Sequence, residues 1–116
     1  MPFLSVTTNA NCDENEEREA LKQLSKALAE ALGKPEDYVM VQLLLKTPMC
    51  FQGSTEVCAA AHVESIGKID AQTNGKTASM ITKCITEVLG VPSGRIYVTF
   101  ADVPATNWAM NGNTFG

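Results

Sequence analysis

The segment MPFLSVTT places a proline directly behind the first methionine. Proline has no N–H for a sheet ladder, so the first residue of a strand is one of the few sheet positions that tolerates it. Its chemistry changes once Met1 is removed, which a small second residue permits in most cells. Pro2 then carries a secondary amine on a rigid ring, and a neutral amine is a base. A free α-amino group with a pKa near ~8 is only about 10% neutral at pH 7, and lowering that pKa by about two units reverses the ratio. A nearby cation and an apolar wall both push in that direction. They would bring the base toward the working pH, where general base catalysis is most effective. The chemistry therefore requires the rest of the chain to build an apolar, cation-bearing pocket around the Pro2 nitrogen.

The remaining reactive side chains offer less. Cys12, Cys50, Cys58 and Cys84 show no C-x-x-C spacing, and with the single His62 they make no zinc set, so no metal is expected. Nothing in MPFLSVTTNANCDENEE has the basic start and apolar core of a signal peptide. Synthesis in the cytosol is expected, with reduced and mostly buried thiols rather than a disulfide framework. His62, in the extended-looking VCAAAHVES, reads as structural or solvent-facing. The 116 residues form one domain, and nine basic against thirteen acidic side chains give a net charge of −4. The basic residues are scattered, which argues against nucleic acid as a partner. No run of about 18 apolar residues is present, so no membrane span is expected.

The elements that must position Pro2 are legible in an internal repeat. An offset of 57 aligns residues 13–35, DENEEREALKQLSKALAEALGKP, with residues 70–92, DAQTNGKTASMITKCITEVLGVP. Identities fall at Asp13/Asp70, Lys26/Lys83, Glu30/Glu87, Leu32/Leu89, Gly33/Gly90 and Pro35/Pro92, so one unit is used twice. Each copy reads as a helix. In the first, Ala20, Leu21, Leu24, Ala27, Leu28, Ala31 and Leu32 form one apolar stripe. Acids crowd its N-terminal side, as the helix dipole prefers. Gly33 and Pro35 close it, as Gly90 and Pro92 close the second.

Strands flank both helices: PFLSVTT and YVMVQLLL (38–45) around the first, VCAAAHVES (57–65) and RIYVTF (95–100) around the second. Two βαβ units, about 2–45 and 57–100, predict an α+β domain with a four-stranded mixed sheet and two helices on one face. In YVMVQLLL both strand faces are apolar, so a monomer is expected to present a wide apolar sheet to water. Self-association with closed symmetry is the simplest remedy. The tail 101–116, with Trp108, Met110 and Phe115 near its end, is expected to dock on a neighbouring subunit.

Taken together, Met-Pro at the start, LGKP after the first helix, F-x-G-S-x-E-x-C from Phe51 to Cys58, SIGKI at 65–69, RIYVTF and a closing NGNTF resemble the macrophage migration inhibitory factor family. That family is a branch of the tautomerase superfamily and includes D-dopachrome tautomerase. The resemblance runs from Pro2 to Phe115 and implies a homotrimer of paired βαβ units. It also implies a phenylpyruvate tautomerase, or L-dopachrome isomerase, acting on a small aromatic α-keto acid without a cofactor. Pro2 matches the family's catalytic base. Lys34 matches the active-site lysine that supplies the cation and holds the substrate carboxylate. Ile66, with Ser65 beside it, matches the backbone contact to that carboxylate. Tyr97 matches a pocket tyrosine contributed by the adjacent subunit.

The chain also departs from the vertebrate members. Thr99 stands where they have an asparagine that bonds the substrate's phenolic hydroxyl. Met110 replaces their rim tryptophan, Trp108 lies two residues earlier, and Phe115 is retained. Their C-x-x-C is here CAAA, with Ala61 in the second place. A dithiol mechanism needs two sulfurs, so no thioredoxin-like activity is expected there. The positions aligned with their receptor-contacting arginine and aspartate hold Cys12 and Lys46. The alternative function is a cytokine-like ligand for a cell-surface receptor with a vestigial pocket, exported by the leaderless route of the family.

Overall fold

The computed structural model describes the whole chain, Met1–Gly116. Its main elements are β1 (Pro2–Thr8), α1 (Glu14–Leu32), β2 (Met40–Leu44), β3 (Ala59–Ser65), α2 (Ala71–Leu89) and β4 (Ile96–Asp102). A short hairpin, β5 (Ala109–Met110) and β6 (Asn113–Thr114), forms the tail. Adding 57 to the bounds of β1 and α1 gives those of β3 and α2, and the 3₁₀ turn Glu36–Tyr38 recurs at Ser93–Arg95 in the same way. The strand order is β2-β1-β3-β4, with β1 parallel to β2, β3 parallel to β4, and β1 antiparallel to β3. This is the mixed sheet predicted from sequence. β2 is shorter than the apolar run suggests because Tyr38 is spent on the 3₁₀ turn, while β4 runs to Asp102, two residues past RIYVTF.

Alternation decides which side the helices cover. Pro2, Leu4, Val6 and Thr8 of β1 and Ala59, Ala61, Val63 and Ser65 of β3 are buried, whereas the residues between them are not. Leu24, Leu28 and Leu32 of α1 and Ile81 and Ile85 of α2 pack on that face in one core with Leu4, Val6, Val63 and Val91.

The opposite face differs from the expected wide apolar surface. Met40 and Leu44 of β2 are exposed there, at 65% and 44%, as is Tyr97 of β4. Between them β1 and β3 present Ser5, Thr7, His62 and Glu64. Apart from Phe3 at the end of β1, the middle of the face is polar, and the large exposed apolar side chains sit on the two edge strands. The apolar alternation of β2 does not extend to β1 and β3, where Ser5, Thr7, His62 and Glu64 take most of the outward positions.

Helix ends are fixed by local hydrogen bonds. Asp13 accepts from the Glu16 N–H at 2.8 Å while Glu16 Oε1 accepts from the Asp13 N–H at 3.0 Å, a reciprocal cap. Gly33 ends α1 at φ 64°, and the next N–H, that of Lys34, donates back to Ala29 O at 3.0 Å. The left-handed glycine thus sets the direction in which Lys34 leaves the helix. A Cβ on Gly33 would meet no atom within 4 Å, so only backbone strain opposes alanine there. Gly33→Ala is expected to cost about 1–2 kcal/mol, seen as a lower urea midpoint at unchanged slope.

Candidate active site

Pro2 stands at the N-terminal end of β1, where the first residues of β2 and the last residues of β3 and β4 also arrive. A cleft of about 420 Å³ opens at this end. Met1, Pro2 and Phe3 line it from β1, Tyr38 and Met40 from the entry to β2, and Glu64 from β3. Trp108, Met110 and Phe115 of the tail close the other side. The volume suits a single small aromatic ligand.

The tail is held in place by its own backbone. The Phe115 N–H donates to Trp108 O at 3.0 Å, and the Val103 N–H donates to Ser65 O at 2.9 Å where the chain leaves β4. Its aromatic residues therefore fold back over Pro2 of their own chain.

Lys34 reaches the same place from the end of α1. Its Nζ donates to Ile66 O at 2.7 Å, and the Ile66 N–H donates to Met1 O at 3.3 Å. The SIGKI turn that carries Ile66 is held by Asp102, whose carboxylate accepts from the Gly67 N–H at 3.0 Å. Gly67 and Lys68 both have positive φ, at 78° and 63°, so the chain turns sharply right after Ile66. A cation, an N–H donor and the start of β1 are thus assembled from three separated segments. The amino terminus feels this arrangement directly. The α-amino group of Met1 is held below its usual value, first by burial and then by the Lys34 ammonium.

Of the residues singled out from sequence, Pro2, Trp108, Met110 and Phe115 line the cleft, and Lys34 and Ile66, outside that lining, meet beside the Met1 end of it. Ser65 pairs with Pro2 across β1 and β3 but is fully buried on the helix side, with its hydroxyl unpartnered. Tyr97 and Thr99 do not reach the cleft of their own chain. Pro2 lies in register with Ser65 and Asp102, and Tyr97 is five residues back along β4, about 16 Å at strand rise. Tyr97 instead stands 64% exposed, edge-on to Phe51 with ring centroids 4.8 Å apart. Thr99 Oγ1 lies 2.6 Å from His62 Nδ1 on the uncovered face.

Sequence reasoning passed over Phe3, Tyr38, Met40 and Glu64. Phe3 and Met40 are register partners, and Phe3 also pairs with Glu64, so one row across three strands forms the floor of the cleft. The alternation of β1 contained that signal, because Phe3 is the first residue facing away from the buried set.

The thiols lie elsewhere. All four cysteines are free. Cys58 is buried in the core region beside Ala59, and burial pushes the Cys84 thiol up to about 11. Cys12 is also raised, by burial first and then by Glu16, Glu17 and Asp13.

The model of one protein family, described as "Macrophage migration inhibitory factor (MIF)", matches residues 1–116. A macrophage migration inhibitory factor homolog of Brugia malayi is 37% identical over 117 residues, covering all of both chains. The macrophage migration inhibitory factor of Xenopus tropicalis is 34% identical over 115 residues, 99% of each chain. Among solved structures, a homologue from Prochlorococcus marinus superposes with a TM-score of 0.92 at 38% identity, covering 98% of this chain and 99% of that one. The Toxoplasma gondii protein gives the same TM-score and identity over 97% and 99%.

Proposed function

The chain belongs to the macrophage migration inhibitory factor family, and on that premise we propose that it is a keto–enol tautomerase of phenylpyruvate-type and dopachrome-type substrates, with Pro2 as its base once Met1 is removed. The supporting observation is the hydrogen bonding at the amino terminus. The Met1 carbonyl takes the Ile66 N–H while Lys34 sits on the other side of the same residue. Removing Met1 releases that N–H beside an ammonium group, which is a seat for a carboxylate. The same cut turns the Pro2 nitrogen from an amide into an amine within the cleft.

In this mechanism the substrate carboxylate rests on Lys34 and the Ile66 N–H, and the aryl group lies among Phe3, Met40 and Trp108. The Pro2 nitrogen takes the proton from the carbon next to the carbonyl. The electron pair moves into the new C=C bond, the carbonyl oxygen receives the proton, and the ketone becomes an enol without net redox change. Holding the reacting carbon against the amine replaces a bimolecular encounter by an oriented one. Tyr97 does not reach the cleft of its own chain, and the family resemblance assigns it to the site of an adjacent subunit in a homotrimer; Thr99 lies two residues further along the same strand.

Intact mass and phenylpyruvate tautomerase rate, taken on one sample across pH, test the reading. A base works deprotonated, so the rate of the Met1-free chain should rise with pH and level off above an apparent pKa well below that of a free amine. In Lys34→Ala the cation is lost, so this limb should move up by about one pH unit, with a raised KM. A Met1-free sample inactive at every pH would discard the catalytic reading in favour of receptor binding.

A further inference from the structure

Glu64 is the one carboxylate lining the cleft, among nine hydrophobic residues. Its side chain is 38% exposed and accepts no hydrogen bond from the chain, and the one ionisable side chain against it is His62, with Nε2 3.9 Å from Oε1. It pairs in register with Phe3 on the uncovered face of the sheet. Ile66, whose carbonyl accepts from the Lys34 ammonium, lies two residues further along the same stretch, about 7 Å away at strand rise. The cleft therefore has a cation beside its amino-terminal end, an apolar floor of Phe3 and Met40, and an unspent pair of acceptor oxygens on the next strand, in the same row as Phe3.

We propose that Glu64 is a specificity-determining residue that selects aryl carboxylates whose ring carries an O–H or N–H donor over those with a bare ring. This rests on the reading of the cleft as an aryl carboxylate site. A ligand anchored by its carboxylate at Lys34 lays its ring over Phe3, with Glu64 at the ring's edge on the neighbouring strand. A bare ring leaves the carboxylate partly desolvated with nothing to bond, which is unfavourable. A ring donor completes a charge-assisted hydrogen bond, the stronger class of such bonds.

Trp108, the single tryptophan, lines the same cleft and gives a binding signal that needs no turnover. The test titrates the Met1-free protein with phenylacetate and with 4-hydroxyphenylacetate, neither of which tautomerises as an α-keto acid does. The wild type should bind the hydroxylated ligand about tenfold more tightly. That preference should disappear in Glu64→Ala, shrink in Glu64→Gln, and leave phenylacetate affinity unchanged or improved. An unchanged preference in both variants, or equal weakening of both ligands, would overturn the proposal and make Glu64 a residue that shapes the cleft. Binding with the expected preference in a protein without tautomerase activity would support Glu64 while removing Pro2 as a base. Failure of the wild type to bind either ligand would overturn both readings.

Discussion

Replacing Pro2 by glycine in the Met1-free chain is expected to lower kcat/KM for phenylpyruvate by about 10²- to 10⁴-fold, the range supplied by a positioned general base. The substituted chain still ends in an amine beside Lys34, so the loss should lie toward the lower end of that range. What glycine removes is the rigid ring, whose buried position on β1 fixes the direction of the nitrogen. The fold should survive, because the first residue of β1 lies at the rim of the sheet and the core is centred further in, on Leu4, Val6 and Val63. A chain that keeps Met1 should be equally impaired with no substitution, since its Pro2 nitrogen is an amide. Comparing the three forms at matched pH decides the matter. If the glycine variant kept more than a tenth of the wild-type activity, the proton would have to go to another group.

The second large effect concerns stability. Leu28 is fully buried on the inner face of α1, within the core that joins both helices to the sheet. Leu28→Ala should destabilise the protein by about 2–5 kcal/mol, combining lost burial with the cavity left behind. Against a typical total of about 5–15 kcal/mol this is a large share. Circular dichroism melting should show it as a drop on the order of 10 °C or more. Leu44→Ala makes the same chemical change on the uncovered face, where Leu44 is 44% exposed. In a lone subunit its effect should be small. In an assembly that covers the edge strands, it should lower the melting temperature in a concentration-dependent way. A Leu28→Ala protein that melted with the wild type would refute this account of the core.

The contrast between these two leucines shows how far the sequence could be read. Leu28 belongs to a stripe spaced three and four residues apart, and that spacing places it on the buried face without any knowledge of the fold. The helix stops at Gly33 and Gly90 were equally legible, since a left-handed residue followed by Lys-Pro or Val-Pro leaves little choice of conformation. Leu44 was harder, because its exposure depends on which side of the sheet the helices take, and its polar neighbours come from other strands.

The site divides in the same way. Pro2 announces itself by position, and Trp108, Met110 and Phe115 by being too apolar for a free tail. Glu64 and Met40 have no local signal: they enter the cleft through pairing with Phe3, and register is a property of three strands together. Tyr97 and Thr99 are placed away from Pro2 by that same register, which no count along the chain reveals.

The 57-residue correspondence carries a further consequence, concerning how the two halves have diverged. The counterpart of Pro2 is Ala59, buried in mid-chain, where a nitrogen is always an amide. The counterpart of Lys34 is Val91, fully buried in the core. The second half thus has core-packing residues where the first has Pro2 and Lys34. If Pro2 is the base, then however many chains assemble, the number of bases equals the number of amino termini, not the number of βαβ units. A permuted chain opened at Ala59 would place its new amine near an aliphatic wall without the ammonium that stands beside the native terminus.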